Sequence, residues 1–280
     1  QSEFDCSNTA LTAAVSQNNF EIVELLLSHP TIDVNSKWIQ EIDQKKDNFH
    51  FKTIKNSLII SVEKENINMT NLLLSHPKID INAEKTLKHN FLSYSFEESK
   101  TPISLSIFKR NFKLFQLLLK QPKIDVNQKI ALGCNLSQYN KHDRKESPLI
   151  LTIDFQLNDY FQLLLQHQNI DVNTISEYKE YGKRDEENPN FDLCEFAAIS
   201  ALNLAIKWKN AKMAKLLINH PKINVNLISN PKGLEETPLL ASFKNDSLEI
   251  FELLLQHPKI DVNVQMKGDF KYDRTILQFA

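Results

Sequence analysis

The fold is decided by the stretch Leu25-Leu-Leu-Ser-His-Pro-Thr-Ile-Asp-Val-Asn35, which returns with small changes five more times along the chain. The last return is Leu253-Leu-Leu-Gln-His-Pro-Lys-Ile-Asp-Val-Asn263. Each copy closes a gapless 27-residue repeat. Repeats 1 to 6 span 9–35, 56–82, 101–127, 147–173, 200–226 and 237–263, and a seventh start covers 275–280. This periodicity predicts a single repeat array over residues 1–280, in which each repeat buries its apolar face against its neighbours.

The pattern inside one repeat predicts two short helices. We number its positions 0 to 26. Position 0 is always Thr, Ser or Asn, whose side chain caps the first turn of a helix. Apolar residues at positions 2, 4 and 6, and again at 11, 14 and 17, indicate a first and a second helix. In five repeats a proline follows the second helix and ends it, and Ile-Asp-Val-Asn then reads as a turn.

These features resemble the ankyrin repeat. The resemblance rests on a capped start close to Thr-Pro-Leu-x-x-Ala, the helix–turn–helix and an end close to Leu-Leu-Leu…Asp-Val-Asn, most clearly in 9–35, 200–226 and 237–263. It implies an all-α fold, an ankyrin-type α-solenoid of stacked helix–turn–helix repeats with extended β-hairpin finger loops. The fingers would occupy the segments between repeats, which are 36–55, 83–100, 128–146, 174–199, 227–236 and 264–274. In the fingers, period-2 alternation at 49–55 and 92–96 is consistent with extended arms.

The chain departs from the ankyrin pattern at one position in every repeat. The family has a glycine between the two helices, at position 9. Here that position is never glycine, and its occupants are Asn18, Glu65, Arg110, Gln156, Lys209 and Asp246.

Composition and motifs narrow the classes of function. The formal net charge of −2 gives no reason to expect nucleic acid or an anionic membrane as partner. No stretch approaches the ~18 apolar residues of a membrane span. Cys6, Cys134 and Cys194 are odd in number and far apart, which indicates reduced thiols and a cytoplasmic location, with the nucleus left open. No enzyme motif is present, so we expect no catalysis and no cofactor.

Histidines and aspartates recur at fixed positions, and each set has two interpretations. Position 20 is His in five repeats, which suggests a ladder of metal sites or a helix C-terminal cap. Stacked helices lie ~10 Å apart, whereas ligands of one ion lie about 2 Å from it, so we expect the cap. The aspartates at position 24 lack the other residues of a calcium loop, and we expect them to stabilise the turn. The residues are His29, His76, His167, His220, His257, and Asp33, Asp80, Asp125, Asp171, Asp261.

The candidate binding residues lie at positions 7 and 8, at the end of the first helix. Together with the residue before position 0, they resemble the variable contact positions of ankyrin repeats. Three successive repeats place an aromatic there, Phe108, Phe155 and Trp208, next to Lys109 or Lys207. The hypothesis is that these residues bind a partner; the alternative is that the rings pack under the long fingers as local core. The same two interpretations apply to the finger residues Trp38, Tyr94, Tyr139, Tyr178 and Tyr181.

The sequence therefore predicts a non-catalytic protein–protein interaction module. It would be a monomer that binds a partner protein or peptide on its concave face and fingers, without nucleic acid, membrane, metal or cofactor. One alternative is an internal or targeting segment of a longer protein whose activity lies elsewhere. Another is an enzyme whose site is built from the fingers.

Overall fold

The computed structural model describes residues 2–44, 49–91, 94–137, 140–181, 194–230 and 235–264. These ranges contain twelve α-helices and nine β-strands. The chain divides into two compact halves, Gln1–Gly133 with repeats 1 to 3 and Cys134–Ala280 with repeats 4 to 6. The predicted seventh start at 275–280, including Leu277 and Phe279, lies outside the described residues.

Every repeat forms the two predicted helices. The first helices are α1 (Ala10–Ser16), α3 (Ser57–Glu63), α5 (Pro102–Phe108), α7 (Pro148–Asp154), α9 (Ala201–Lys207) and α11 (Pro238–Lys244). The second helices are α2 (Phe20–Ser28), α4 (Ile67–Leu74), α6 (Phe112–Leu119), α8 (Asn158–Leu165), α10 (Ala211–Ile218) and α12 (Leu248–Leu255). At all six first helices the position-0 oxygen accepts a hydrogen bond from the backbone N–H three residues on, which confirms the predicted caps. At α12 the N-terminal cap residue, Ser247, makes no side-chain capping bond.

The first helices form the core of each half. In the N-terminal half α3 packs between α1 and α5, and in the C-terminal half α9 packs between α7 and α11. Leu58, Val62, Leu202 and Ile206, at positions 2 and 6, are 2% exposed or less. A helix of seven residues is too short to persist alone in water, so stacking on both sides supplies its stability.

The predicted all-α class is wrong, because the fingers form extensive β-structure. Two antiparallel sheets make the fold mixed α and β. The first sheet has the order β1-β2-β3-β4-β5 and the second has the order β6-β7-β8-β9. The strands are β1 (Ser2–Ser7), β2 (Lys37–Gln44), β3 (Phe49–Asn56), β4 (Lys85–Phe91), β5 (Tyr94–Lys100), β6 (Ile130–Ser137), β7 (Asn140–Glu146), β8 (Ile175–Tyr181) and β9 (Cys194–Ser200).

The physical reason is strand pairing between neighbouring fingers. The hairpin β2–β3 pairs with the next hairpin through β3 and β4, and β7 pairs with β8 in the same way. Such pairing satisfies backbone N–H and C=O groups that isolated hairpins would leave on open edges. Of the predicted extended arms, 49–55 is strand β3 and 92–96 falls partly on β5. Leu92 and Ser93 lie outside the described residues.

The residues that replace the ankyrin glycine all adopt a left-handed backbone. Their φ angles lie between 53° and 57° in all six repeats. This conformation ends a helix well but places Cβ close to the following carbonyl of any residue other than glycine. Three of these side chains accept a hydrogen bond from the capping Asn side chain of the next repeat. The pairs are Asn66 to Asn18 at 3.2 Å, Asn111 to Glu65 at 3.0 Å and Asn210 to Gln156 at 2.6 Å.

The asparagine at position 26 joins neighbouring repeats within each half of the chain. The Asn82 amide donates to the Lys123 carbonyl at 2.8 Å, and its oxygen accepts from the Asp125 backbone N–H at 2.8 Å. Asn35, Asn173 and Asn226 make the same two bonds to their following repeats.

The recurring aspartates and histidines stabilise the turn that ends each repeat. Asp80 accepts from the Asn82 backbone N–H at 3.0 Å, and every repeat has the equivalent bond. The Nδ1 atom of the position-20 histidine accepts from the backbone N–H two residues later in all five repeats that carry it. Both sets therefore bond local backbone. None of the helices in the described ranges is long and apolar enough to cross a membrane.

Candidate protein interface

Positions 7 and 8 lie where each first helix ends. Position 7 is the last helical residue and position 8 is the C-terminal cap in all six repeats. The side chain of the residue before position 0 also lies close to the end of the first helix. In repeat 2 the Lys55 ammonium lies 2.8 Å from the Glu63 carboxylate, and in repeat 6 Lys244 lies 3.2 Å from Glu236. In these two repeats the residue that ends the finger therefore contacts the end of the first helix.

Trp208 is the most accessible aromatic at these positions. Its side chain is 52% exposed, although it caps α9 in the middle of the C-terminal half. The indole Nε1–H donates a hydrogen bond of 3.0 Å to Oδ1 of Asp154, at the end of α7. The neighbouring Lys207 is exposed and makes no side-chain bond within the described ranges. This arrangement fixes the orientation of a large aromatic ring and leaves about half of it in water.

Acidic residues and an arginine hold Asp154 in place. Arg144 Nη2 lies 2.7 Å from Asp154 Oδ2 and also pairs with the Glu146 carboxylate. Glu146 is 1% exposed. Burial raises the pKa of Glu146 to about 7; Arg144 opposes this rise and Asp154 adds to it. The cluster is thus a partly buried, polar support for Trp208.

Phe155 and Phe108 are half-buried, so neither ring is enclosed in local core. Phe155 caps α7, one residue after Asp154. The Lys100 ammonium lies 4.6 Å from the centroid of the Phe108 ring. One face of Phe108 is therefore already occupied by a cation of the same chain. Lys109 is exposed, and its ammonium lies 3.9 Å from the Glu65 carboxylate.

Trp38 belongs to a second charged group, in the N-terminal half. The Lys55 ammonium lies 4.6 Å from the Trp38 ring centroid. Glu63 accepts from Lys55 and from Lys85, both at 2.8 Å. Burial alone would raise the pKa of Glu63, but the two lysines outweigh it and hold the pKa below its ordinary value.

The finger tyrosines are described only as backbone. Tyr94 is the first residue of β5, and Tyr178 and Tyr181 lie in β8, but their side chains fall outside the described part of the structure. Tyr139 lies wholly outside it. Their proposed contact role stays a prediction.

The sequence pointed to Trp208 but not to its support. Glu146 and Asp154 occupy the position before 0 and position 7, which the ankyrin resemblance names as contact positions. Arg144 lies in a finger strand, and no sequence feature links it to Asp154 ten residues later.

Comparison with protein families identifies the repeats. A model described as "Ankyrin repeats (3 copies)" matches residues 183–266, and one described as "Ankyrin repeat" matches residues 6–38. No curated protein matches the chain significantly. The matched stretches include repeats 1, 5 and 6, which resemble the ankyrin pattern most clearly. The chain therefore contains ankyrin repeats, units that are generally non-catalytic and serve protein–protein interaction.

Proposed function

We propose that this chain is a non-catalytic module that binds a partner protein or peptide through positions 7 and 8 and its fingers. From the ankyrin resemblance we expect these positions on the concave side. The contact residues would be Phe155, Lys207 and Trp208 in the C-terminal half and Trp38, Phe108 and Lys109 in the N-terminal half. Tyr94, Tyr178 and Tyr181 would add contacts from the fingers.

The exposure and anchoring of Trp208 carry this proposal. A tryptophan that is 52% exposed gains little stability from burial in its own chain, yet a hydrogen bond to Asp154 holds its ring in one orientation. An ordered aromatic loses little side-chain entropy on binding. Tryptophan is also enriched among the residues that dominate binding energy at interfaces. An exposed cation beside it, Lys207, adds a polar contact at the rim of such a site.

Affinity capture with matched variants tests the proposal. Partners are captured on the immobilised chain from a lysate of the source cell and identified by mass spectrometry. Trp208→Ala and Phe155→Ala should each weaken the captured interaction at least about tenfold, since truncating an interface anchor costs about 2 kcal/mol or more. The matched control is Phe243→Ala, a ring that is 42% exposed but lies at position 6. Retained binding by Trp208→Ala, or equal loss in the control, would refute this assignment.

Stability separates binding from local packing. Trp208→Ala should leave the melting temperature nearly unchanged, because half of the ring is already in water. If the ring were local core, its removal would lower the free energy of unfolding by about 3–5 kcal/mol. Thermal unfolding followed by circular dichroism measures the difference before any partner is known.

We also propose that the repeats form a single array over 1–280 and that the protein is a cytoplasmic monomer. The unbroken repeat register supports the array, and the three widely spaced cysteines support a reducing compartment. Sedimentation and fluorescence imaging of the tagged full-length protein test the monomer and the location. A sedimenting dimer or a secreted product would contradict them.

A further inference from the structure

The first sheet has two chemically different faces. Residues directly opposite each other in an antiparallel pair point to the same face, and the faces alternate along each strand. On one face Glu41 lies opposite Lys52 and binds it at 2.7 Å. On the same face Lys88 lies opposite Glu97 and binds it at 3.2 Å. This face therefore carries two cross-strand ion pairs of opposite charge.

The opposite face is aromatic and apolar. Ile42, Phe51 and His89 are neighbours in one row across β2, β3 and β4. Phe49 lies on the same face, two residues before Phe51 in β3. Its ring packs edge-on against His89, with 5.1 Å between the ring centroids. We call Ile42, Phe49, Phe51, Leu87 and His89 the aromatic face. Each of the five side chains is half-buried, so each retains surface in contact with water.

A row of lysines borders the aromatic face at the base of the sheet. Trp38 lies opposite Lys55, and Lys85 lies opposite Lys100. Lys55 and Lys85 are also adjacent, because Ile54 pairs with Thr86 and both lysines reach the same Glu63 carboxylate. Like charges on neighbouring strands repel. They therefore need anions on this face.

The anions of the chain balance this row only in part. Glu63 binds Lys55 and Lys85, and Glu98 pairs with Lys100. We call Lys55, Lys85 and Lys100 the cationic strip. It sets three lysines against two glutamates in a chain whose net charge is −2.

We propose that the aromatic face and the cationic strip form a docking surface for an acidic amphipathic segment of a partner protein. Its apolar side chains would pack on Phe49, Phe51 and His89, and its carboxylates would be attracted by the excess positive charge of the strip. On the opposite face Lys52 lies opposite Lys88, and each has its own glutamate, Glu41 or Glu97, so these charges balance. This surface lies in the N-terminal half and does not involve Trp208. A failed test of the Trp208 assignment would therefore leave this proposal unaffected.

A labelled peptide tests the surface directly. The probe is a short fluorescein-labelled peptide with Leu and Phe in one half and Glu and Asp in the other. Two control peptides carry Gln in place of the acids or Ser in place of the apolar residues. Fluorescence anisotropy with the full chain should detect binding of the probe and not of either control. Binding should weaken as salt is raised, because the cationic strip is only partly buried.

Variants on the two faces locate the binding site. Lys85→Gln and Phe51→Ser should each weaken binding of the probe about tenfold or more. Lys88→Gln and His50→Ser, on the opposite face of the same strands, should leave it unchanged. Trp208→Ala should also bind the probe normally, which separates this surface from the proposed site of the C-terminal half. Lys85→Gln keeps the test valid if Phe51→Ser does not fold, as judged by circular dichroism.

Three results would overturn the proposal. One is failure of the full chain to bind the probe, and another is equal loss of binding in variants of both faces. The third is a dimer in sedimentation that Phe51→Ser converts to a monomer, because a second copy of the chain would then cover the aromatic face.

Discussion

Replacing Lys209 by glycine should stabilise the protein. Lys209 has φ 53°, and its side chain makes no hydrogen bond within the described ranges. The left-handed conformation costs an L-residue about 1–2 kcal/mol. Glycine removes that cost but loses about 0.5–1 kcal/mol of backbone entropy on folding. The net gain in the free energy of unfolding is therefore about 0.5–1 kcal/mol, or a few degrees in Tm for a chain of this size.

The equivalent change at Gln156 should give no such gain. Gln156 has φ 56°, but its side chain accepts from Asn210 at 2.6 Å and donates to the Ile153 carbonyl at 3.0 Å. Gln156→Gly relieves the same backbone conformation and loses these bonds, each contributing about 1 kcal/mol. We expect its stability to equal that of the parent or to fall below it. Urea unfolding followed by helical circular dichroism measures both variants.

Lys209→Ala is the matched control. It removes the long side chain but keeps Cβ, so the left-handed backbone remains unfavourable and stability should hardly change. The reasoning fails if Lys209→Gly is no more stable than Lys209→Ala. It also fails if Gln156→Gly gains as much as Lys209→Gly, because the bond to the next repeat would then contribute nothing.

Three further outcomes follow from bonds and charges already described. Asn82→Ala should lower the free energy of unfolding by about 2 kcal/mol, because two hydrogen bonds to the next repeat are lost, while Asn68→Ala on the exposed side of α4 should not. Glu63 has a lowered pKa, so its contribution to stability is present above pH ~4.5 and is lost on acidification; Glu63→Gln should lower stability at neutral pH and flatten the acid limb of stability against pH. Glu146 has a raised pKa of about 7, so the native state binds the extra proton and stability falls as pH rises from about 4.5 to 7. Glu146→Gln should flatten that fall, and an unchanged slope in chemical denaturation would contradict the assignment.

The helices were predictable because their signals are local. Thr101 caps α5 through its own side chain, and Pro102 begins the helix where a missing N–H does no harm. The apolar positions of α3 recur within a few residues of each other in the sequence. Each of these features is encoded within ten residues, so reading one repeat predicts all six.

The pairing of strands from neighbouring fingers was not predictable, because it is non-local. Strand β7, with the sequence Asn-Lys-His-Asp-Arg-Lys-Glu, has no apolar alternation at all. Its partner β8 comes from the next finger, after two intervening helices. Pairing between repeats stabilises such polar strands. The sequence of a single repeat contains no information about that pairing. The all-α assignment failed for that reason.

The candidate site was predictable in part. The ankyrin resemblance indicated positions 7 and 8, and Trp208 at position 8 is 52% exposed. The Arg144–Asp154 ion pair that supports it depends on how a finger strand lies against the end of α7. Such a contact follows from the fold and leaves no periodic trace in the sequence.

The joining of neighbouring fingers into one sheet has a mechanical consequence. In the first sheet β3 and β4 belong to different fingers and share a continuous ladder from Phe49–Phe91 to Ile54–Thr86. Bending one finger away would break that ladder, so these two fingers resist shear as a unit. A partner that pushes against β4 would thus load β2 and β3 as well, and the force would spread over two repeats before any helix moved.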